Sequence, residues 1–105
     1  MRDASLQQLH MFLAEGVASQ TTGCRPGARH ALMLFAVGSD MPLAQSAALT
    51  GAEGAGWSLL EIKKRTPIAS GPIAIADPNL SNAAESAVAE GFGMVVYTTE
   101  LTSDA

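Results

Sequence analysis

The stretch WSLLEIKKRTPI, residues 57–68, sets the predicted strand order of this chain. Its first half alternates in polarity, because Leu60 and Ile62 fall on one face of an extended strand with polar or charged neighbours. Three consecutive cations at 63–65 and then Pro67 follow. Charged residues and proline are typical of edge strands, where they block pairing with another chain. The stretch therefore predicts a β-strand at the edge of a sheet.

The cations of this stretch are also candidate residues for binding an acidic partner. Alternation along a regular strand predicts that Lys63 and Arg65 share one face with Glu61, and that Lys64 points to the other face near the strand's end. The run then does not form one patch, so edge protection is the simpler interpretation. The alternative is that Lys63 and Arg65 bind a polyanion or the acid-rich C-terminal third of a second copy.

Hydrophobic patterns on either side of this stretch predict most of the remaining elements. The uninterrupted apolar run at 31–37 is typical of a strand buried on both faces, and 73–76 and 94–100 are predicted as strands too. A helix is predicted at about 42–52 and another from residue 78. In both places an aspartate cap precedes a proline in the first turn.

The N-terminal segment predicts an amphipathic helix over about residues 4–19. Ser5 followed by Gln8 has the pattern of a capping box. Four apolar residues recur at spacings of three and four, and so share one helical face: Leu6, Leu9, Leu13 and Val17.

The resulting order, a helix and then β-α-β-β-α-β, predicts a single α+β domain over 1–105 with a ferredoxin-like sandwich fold. An antiparallel sheet of order 4-1-3-2 would pack against two helices, with the core at about 28–100 and a loose tail at 101–105. The apolar strands 31–37 and 73–76 take the centre and the cationic strand an edge. Both helices then cover one face. Either the N-terminal helix or a second copy must cover the other, the latter as a dimeric α+β barrel.

Composition limits the classes of function. Of the residues, 48% are hydrophobic and only 15% are charged, against roughly 25% charged in typical domains. This favours a covered surface, and a homodimer through the sheet face is the simplest cover. The net charge of −4 disfavours nucleic-acid binding. No run reaches the roughly 18–20 apolar residues of a membrane span, and one cysteine allows no internal disulfide. A cytoplasmic protein is expected.

Two histidines, His10 and His30, are the candidate acid–base residues of an enzyme. Neither has the spacing of a metal site or an identifiable catalytic triad, so packing is the simpler expectation for both. Cys24 next to Arg25 has a cation that favours a reactive thiolate, and its role stays open. No metal site and no cofactor is predicted.

The candidate ligand-binding residues are aromatic residues and a methionine: Met33, Phe35, Trp57 and Tyr97. Such side chains line apolar pockets, and they equally fill cores and dimer interfaces. The leading hypothesis is a non-catalytic dimerising domain that binds a partner protein or a small effector, such as an apolar ligand. The alternatives are a cofactor-free enzyme of the dimeric α+β barrel type and a polyanion-binding protein. Whether the chain is an enzyme is left open, with the balance against it.

Overall fold

The computed structural model describes residues 8–68 and 75–101. It contains four strands, two helices and a short 3-10 helix, in the order β1 (Gln8–Ala18), the 3-10 helix (Gln20–Thr22), β2 (Arg29–Gly38), α1 (Met41–Gly54), β3 (Trp57–Ile68), α2 (Pro78–Glu90) and β4 (Phe92–Leu101). The strands form one sheet in the order β3-β1-β2-β4, and every neighbouring pair is antiparallel. The chain is therefore a small α+β fold.

The N-terminal segment is a β-strand, so the helix predicted over 4–19 is wrong wherever that range is described. β1 pairs with β2 on one side and with β3 on the other, at the centre of the sheet. Leu9, Leu13 and Val17 are four residues apart, and this spacing places side chains on one face of a strand as well as of a helix. The three-residue spacing that favoured a helix depends on Leu6, which lies outside the described residues.

The ferredoxin-like order 4-1-3-2 is wrong as well. β1 takes the central place that the prediction assigned to 73–76. Of that segment only Ile75 and Ala76 are described, and neither belongs to a strand. Two expectations about the sheet are confirmed. The apolar run 31–37 lies in a central strand, and the cationic strand β3 lies at an edge.

Helix α1 covers one face of the sheet. It begins after Asp40, whose carboxylate accepts a hydrogen bond of 3.0 Å from the amide of Leu43. Its buried residues recur every four positions and are all small: Ala44, Ala48 and Ala52. They pack against even-numbered side chains of the two central strands, among them Phe12 and Leu34. This side of the sheet is the α1 face.

Helix α2 lies on the opposite face and covers only part of it. Its buried residues are also small: Ala83, Ala84 and Ala87. They pack over β2 and β4 and reach β1 near its start, where Leu9 joins Phe35 in a second core cluster. The approach is so close that a Cβ on Gly93 would collide with the Ala83 carbonyl oxygen, which explains the glycine. No described helix lies over β3 and the rest of β1 on this side.

Candidate functional site

The uncovered half of the α2 side is the candidate functional surface, which we name the open face. Residues that are partners in the strand register share a face. The rows of the open face, each from β3 through β1 to β2, are Lys64, Leu13 and Met33, then Glu61, Glu15 and Ala31, then Ser58, Val17 and Arg29. The apolar side chains of the central strands in these rows are half-buried.

A shallow cleft of about 210 Å³ opens at the first row of the open face. Its walls are formed by Met11, Leu13, Met33, Lys64 and Thr66. Apart from the lysine ammonium and the threonine hydroxyl, these side chains are apolar. Drug-sized pockets have volumes of roughly 300–1,000 Å³, so this cleft suits a smaller ligand.

The next two rows carry a cluster of paired charges. Nη2 of Arg29 donates to Oε1 of Glu15 and to Oε1 of Glu61, both at 3.0 Å. Nζ of Lys63 lies 3.4 Å from the same Glu61 oxygen. Two carboxylates and two cations cancel, and partly exposed ion pairs of this kind each contribute only about 0–1 kcal/mol. The main consequence of the cluster is a surface region without net charge.

A bulge in β3 decides which cations share a face. Lys63 has no partner in the register with β1, so it is the extra residue of the bulge. Beyond it, Lys64 lies on the open face and Arg65 lies on the α1 face, where its guanidinium donates to Gln45. The predicted grouping of Arg65 with Glu61 on one face is therefore wrong, because the bulge shifts the alternation by one residue.

Lys64 differs from the other cations of the described strands and loops in having no partner. No ion pair or hydrogen bond joins its ammonium to any residue within 8–68 or 75–101. The partnered cations are Arg25 with Glu100, Arg29 with Glu15 and Glu61, Lys63 with Glu61, and Arg65 with Gln45. The unpartnered cation is also the one that lines the cleft.

His30 is buried, with 2% of its surface exposed, and it stabilises an irregular part of β4. Its Nδ1 lies 2.8 Å from the carbonyl oxygen of Tyr97, and since a carbonyl only accepts, Nδ1 must donate. The register between β2 and β4 shifts between His30 and Leu32, so β4 has extra residues here. The Trp57 ring packs edge-on at 5.7 Å. These contacts indicate a structural role for His30 in holding β4 against β2.

His10 is equally buried, with 3% exposed, and lies on the α1 face beside Phe12, whose ring is 6.3 Å away. Neither ring nitrogen has a hydrogen-bond partner among the residues that the structure describes. In the pairing of β1 with β2, His10 lies opposite Ala36 and His30 lies opposite Gly16, at the other end of the hairpin. The structure therefore does not bring the two histidines together, and neither lines the cleft.

The predicted ligand-binding residues lie in three different places. Met33 lines the cleft, whereas Phe35 is fully buried with the alanines of α2. Trp57 is buried on the α1 face, and Tyr97 lies on the edge strand β4 with 39% exposed. Only Met33 belongs to the open face, so the four residues do not form one pocket.

Sequence reasoning missed Met11, Leu13 and Thr66 as cleft residues, and it did not assign Lys64 to a site. Met11 and Leu13 were missed because a helix was predicted over their segment. Strand alternation applied to 8–18 would have placed Met11 and Leu13 on one face. The bulge that brings Lys64 beside them has no glycine to mark it in the sequence.

Comparison with known proteins gives no assignment: no protein-family model, no curated protein and no solved structure matches this chain. Neither helix that the structure describes is long and apolar enough to cross a membrane. Within residues 8–68 and 75–101, no three metal-ligating side chains form a group. The open face and its cleft are therefore the features on which a function rests.

Proposed function

We propose that this chain is a non-catalytic domain that forms a homodimer through the open face and holds a small effector there. One observation carries the proposal: the apolar side chains of the two central strands have no described helix above them on this half of the sheet. Covering them removes apolar surface from water, which is the main driving force of association. We also propose a cytoplasmic location, because a single cysteine offers no disulfide framework.

A second copy suits this surface because of how charge is distributed. The chain carries a net charge of −4, yet the open face holds two carboxylates and three cations, a sum of +1. Away from the open face the surface is acidic, with Glu85 and Glu90 exposed on α2. Among contacts between two identical faces, one between open faces therefore brings the least like charge together. A two-fold contact needs a surface that is compatible with itself, and neutralised charges between apolar rows meet that need.

Neither alternative function is proposed further. The enzyme of the dimeric α+β barrel type was inferred from a ferredoxin-like sheet, and the observed strand order is a different one. Both histidines lie on the α1 face. For polyanion binding, Lys63 and Arg65 would have to present free charge together. Instead Lys63 contacts Glu61 and Arg65 contacts Gln45.

Replacing Leu13 by aspartate tests the homodimer. Light scattering should give a mass of about twice 10.8 kDa for the unmodified chain. Leu13→Asp places a charge among the apolar rows, and burying a charge without a partner is costly. We expect the dissociation constant to rise at least about tenfold.

The matched control is Leu43→Asp, which makes the same change on α1, where Leu43 is 57% exposed on the other side of the molecule. This variant should stay dimeric, and circular dichroism should show both variants folded. A chain that remains monomeric at several hundred micromolar, or a Leu13→Asp variant that dimerises like the control, contradicts the proposal.

A further inference from the structure

Lys64 poses a problem for a homodimer formed through the open face. The charges of the second and third rows are neutralised with the help of Lys63 from the bulge, because Arg29 and Lys63 offset Glu15 and Glu61. Lys64 has no such partner among the described residues. A cation that is enclosed at an interface without a counter-charge is strongly unfavourable. An anion beside the ammonium of Lys64 would therefore strengthen a dimer of this kind.

We propose that the cleft binds a small carboxylate with an apolar tail. The carboxylate pairs with Lys64, and the tail lies against Met11, Leu13 and Met33. This inference rests on the proposed function, since the second copy forms the roof of a cleft that is shallow in one copy. It adds the chemical class of the effector and the residue that recognises its charge.

The lining of the cleft selects this class of ligand. One ammonium supplies a single positive charge, which matches one carboxylate better than a dianionic phosphate. The hydroxyl of Thr66 is a further donor on the same wall. Methionine side chains adapt their shape to apolar groups. The volume of about 210 Å³ limits the ligand to roughly ten non-hydrogen atoms.

Octanoate is a suitable probe, and methyl NMR of the methionines locates its binding. Met11 and Met33 line the cleft, whereas Met41 and Met94 pack with the α1 cluster and serve as internal controls. Octanoate added to the full chain should shift the methyl signals of Met11 and Met33 and leave those of Met41 and Met94 in place. Octan-1-ol, which lacks the charge, should bind at least about tenfold more weakly.

Two neighbouring cations, Lys64 and Arg65, provide matched variants. Lys64→Gln should weaken octanoate binding about tenfold, because it removes the charge-assisted hydrogen bond. Arg65→Gln also removes one positive charge, one residue later, where the guanidinium contacts Gln45 on the α1 face, and it should bind octanoate like the unmodified chain. Equal affinities of these two variants, or no shift of Met11 and Met33, would overturn the inference.

Light scattering on the same samples separates this inference from the homodimer. One outcome is a dimer that does not bind octanoate and that associates more weakly in Lys64→Gln. This outcome shows that a carboxylate of the second copy neutralises Lys64, and it overturns only the ligand site. A monomer that binds octanoate in a Lys64-dependent manner overturns the homodimer and supports the site. A dimer that octanoate tightens in the unmodified chain, but not in Lys64→Gln, supports both.

Discussion

At the scale of single residues, the two histidines are equally buried but should contribute differently to the stability of the fold. His30 and His10 are both almost fully buried in β-strands. His30 donates to the Tyr97 carbonyl, a group that the irregular part of β4 leaves outside the regular ladder. His10 has no hydrogen-bond partner among the described residues. Nε2 of His30 also has no partner among the described residues, so His30 has one paired ring nitrogen and His10 has none. A buried polar group stabilises a fold only when it is paired, so we expect His30 to contribute more to stability than His10.

Replacing each histidine by phenylalanine tests this difference, because both changes keep an aromatic ring and alter the volume equally. His30→Phe leaves the Tyr97 carbonyl without its donor, and we expect the free energy of unfolding to fall by about 1–3 kcal/mol. His10→Phe removes unpaired nitrogens and should leave stability equal or higher. Urea denaturation of the two variants measures both values. A larger loss in His10→Phe than in His30→Phe would contradict the assignment.

Leu59 is the second residue of interest, because it combines exposure with backbone strain. It has φ +50°, and 76% of its surface is exposed. It lies at the other irregularity of β3, where the register shifts between Glu15 and Val17. For a residue with a side chain, this left-handed conformation costs roughly 1–2 kcal/mol relative to right-handed backbone.

Glycine at position 59 should relieve that strain. We expect Leu59→Gly to raise the free energy of unfolding by about 1 kcal/mol, since glycine adopts positive φ without a steric penalty. The neighbouring change Ser58→Gly is the control. Ser58 has no positive φ, so the added chain entropy alone should lower stability by about 0.5–1 kcal/mol. Equal losses in both variants would show that the bulge carries no strain.

At the scale of elements, the two edge strands are protected from pairing by different means. β3 carries two bulges, three successive cations and Pro67. β4 has no Lys, Arg or proline, and its end is instead held by contacts from the loop before β2 and from β2 itself. Arg25 makes two hydrogen bonds to Glu100, at 3.0 and 2.7 Å, and His30 makes the bond to Tyr97.

The Arg25–Glu100 pair predicts a specific dependence of stability on pH. The hydrogen bond from Arg25 holds the pKa of the Glu100 carboxyl below its ordinary value of 4.5, and the same bond raises the pKa of Arg25. Because the folded-state pKa is the lower one, the stabilisation is fully present above the ordinary carboxyl pKa. It is lost as the pH falls through the lowered value. Arg25 stays cationic throughout.

Glu100→Gln measures this contribution. The unmodified chain should be slightly more stable than Glu100→Gln near pH 7, and the difference should shrink as the pH falls below 4.5. The effect should be small because both side chains are exposed to solvent. Arg25→Gln should behave in the same way, and the double variant should add nothing further. A difference between the unmodified chain and Glu100→Gln that does not change as the pH falls would assign the effect to packing instead of charge.

At the scale of the whole molecule, the position of α2 determines where this protein can interact. α1 lies across one face, and α2 takes the β2 and β4 side of the other. The half of the sheet at β1 and β3 is left with apolar rows, a neutral charge cluster and one lysine that has no partner among the described residues. The comparison of Leu13→Asp with Leu43→Asp tests the interface at this scale, because the same substitution is made on opposite sides of the molecule.

The sequence alone determined the elements that depend on local signals. The two aspartate caps with their prolines located α1 and α2, and apolar content and alternation located β2, β3 and β4. Charge and proline marked β3 as an edge, and the strand order bears that out. Each of these signals acts within a few residues, so each can be recognised without knowing what the segment contacts.

Tertiary structure alone decided the identity of β1, the placement of the helices on opposite faces and the position of Lys64 on the open face. The spacing of Leu9, Leu13 and Val17 satisfies both a helix and a strand, and only pairing with β2 and β3 selects the strand. The bulge at Lys63 turns Lys64 onto the open face and Arg65 away from it. Its position follows from the register with β1, which is a long-range contact. The candidate site therefore emerged only when the strands were paired.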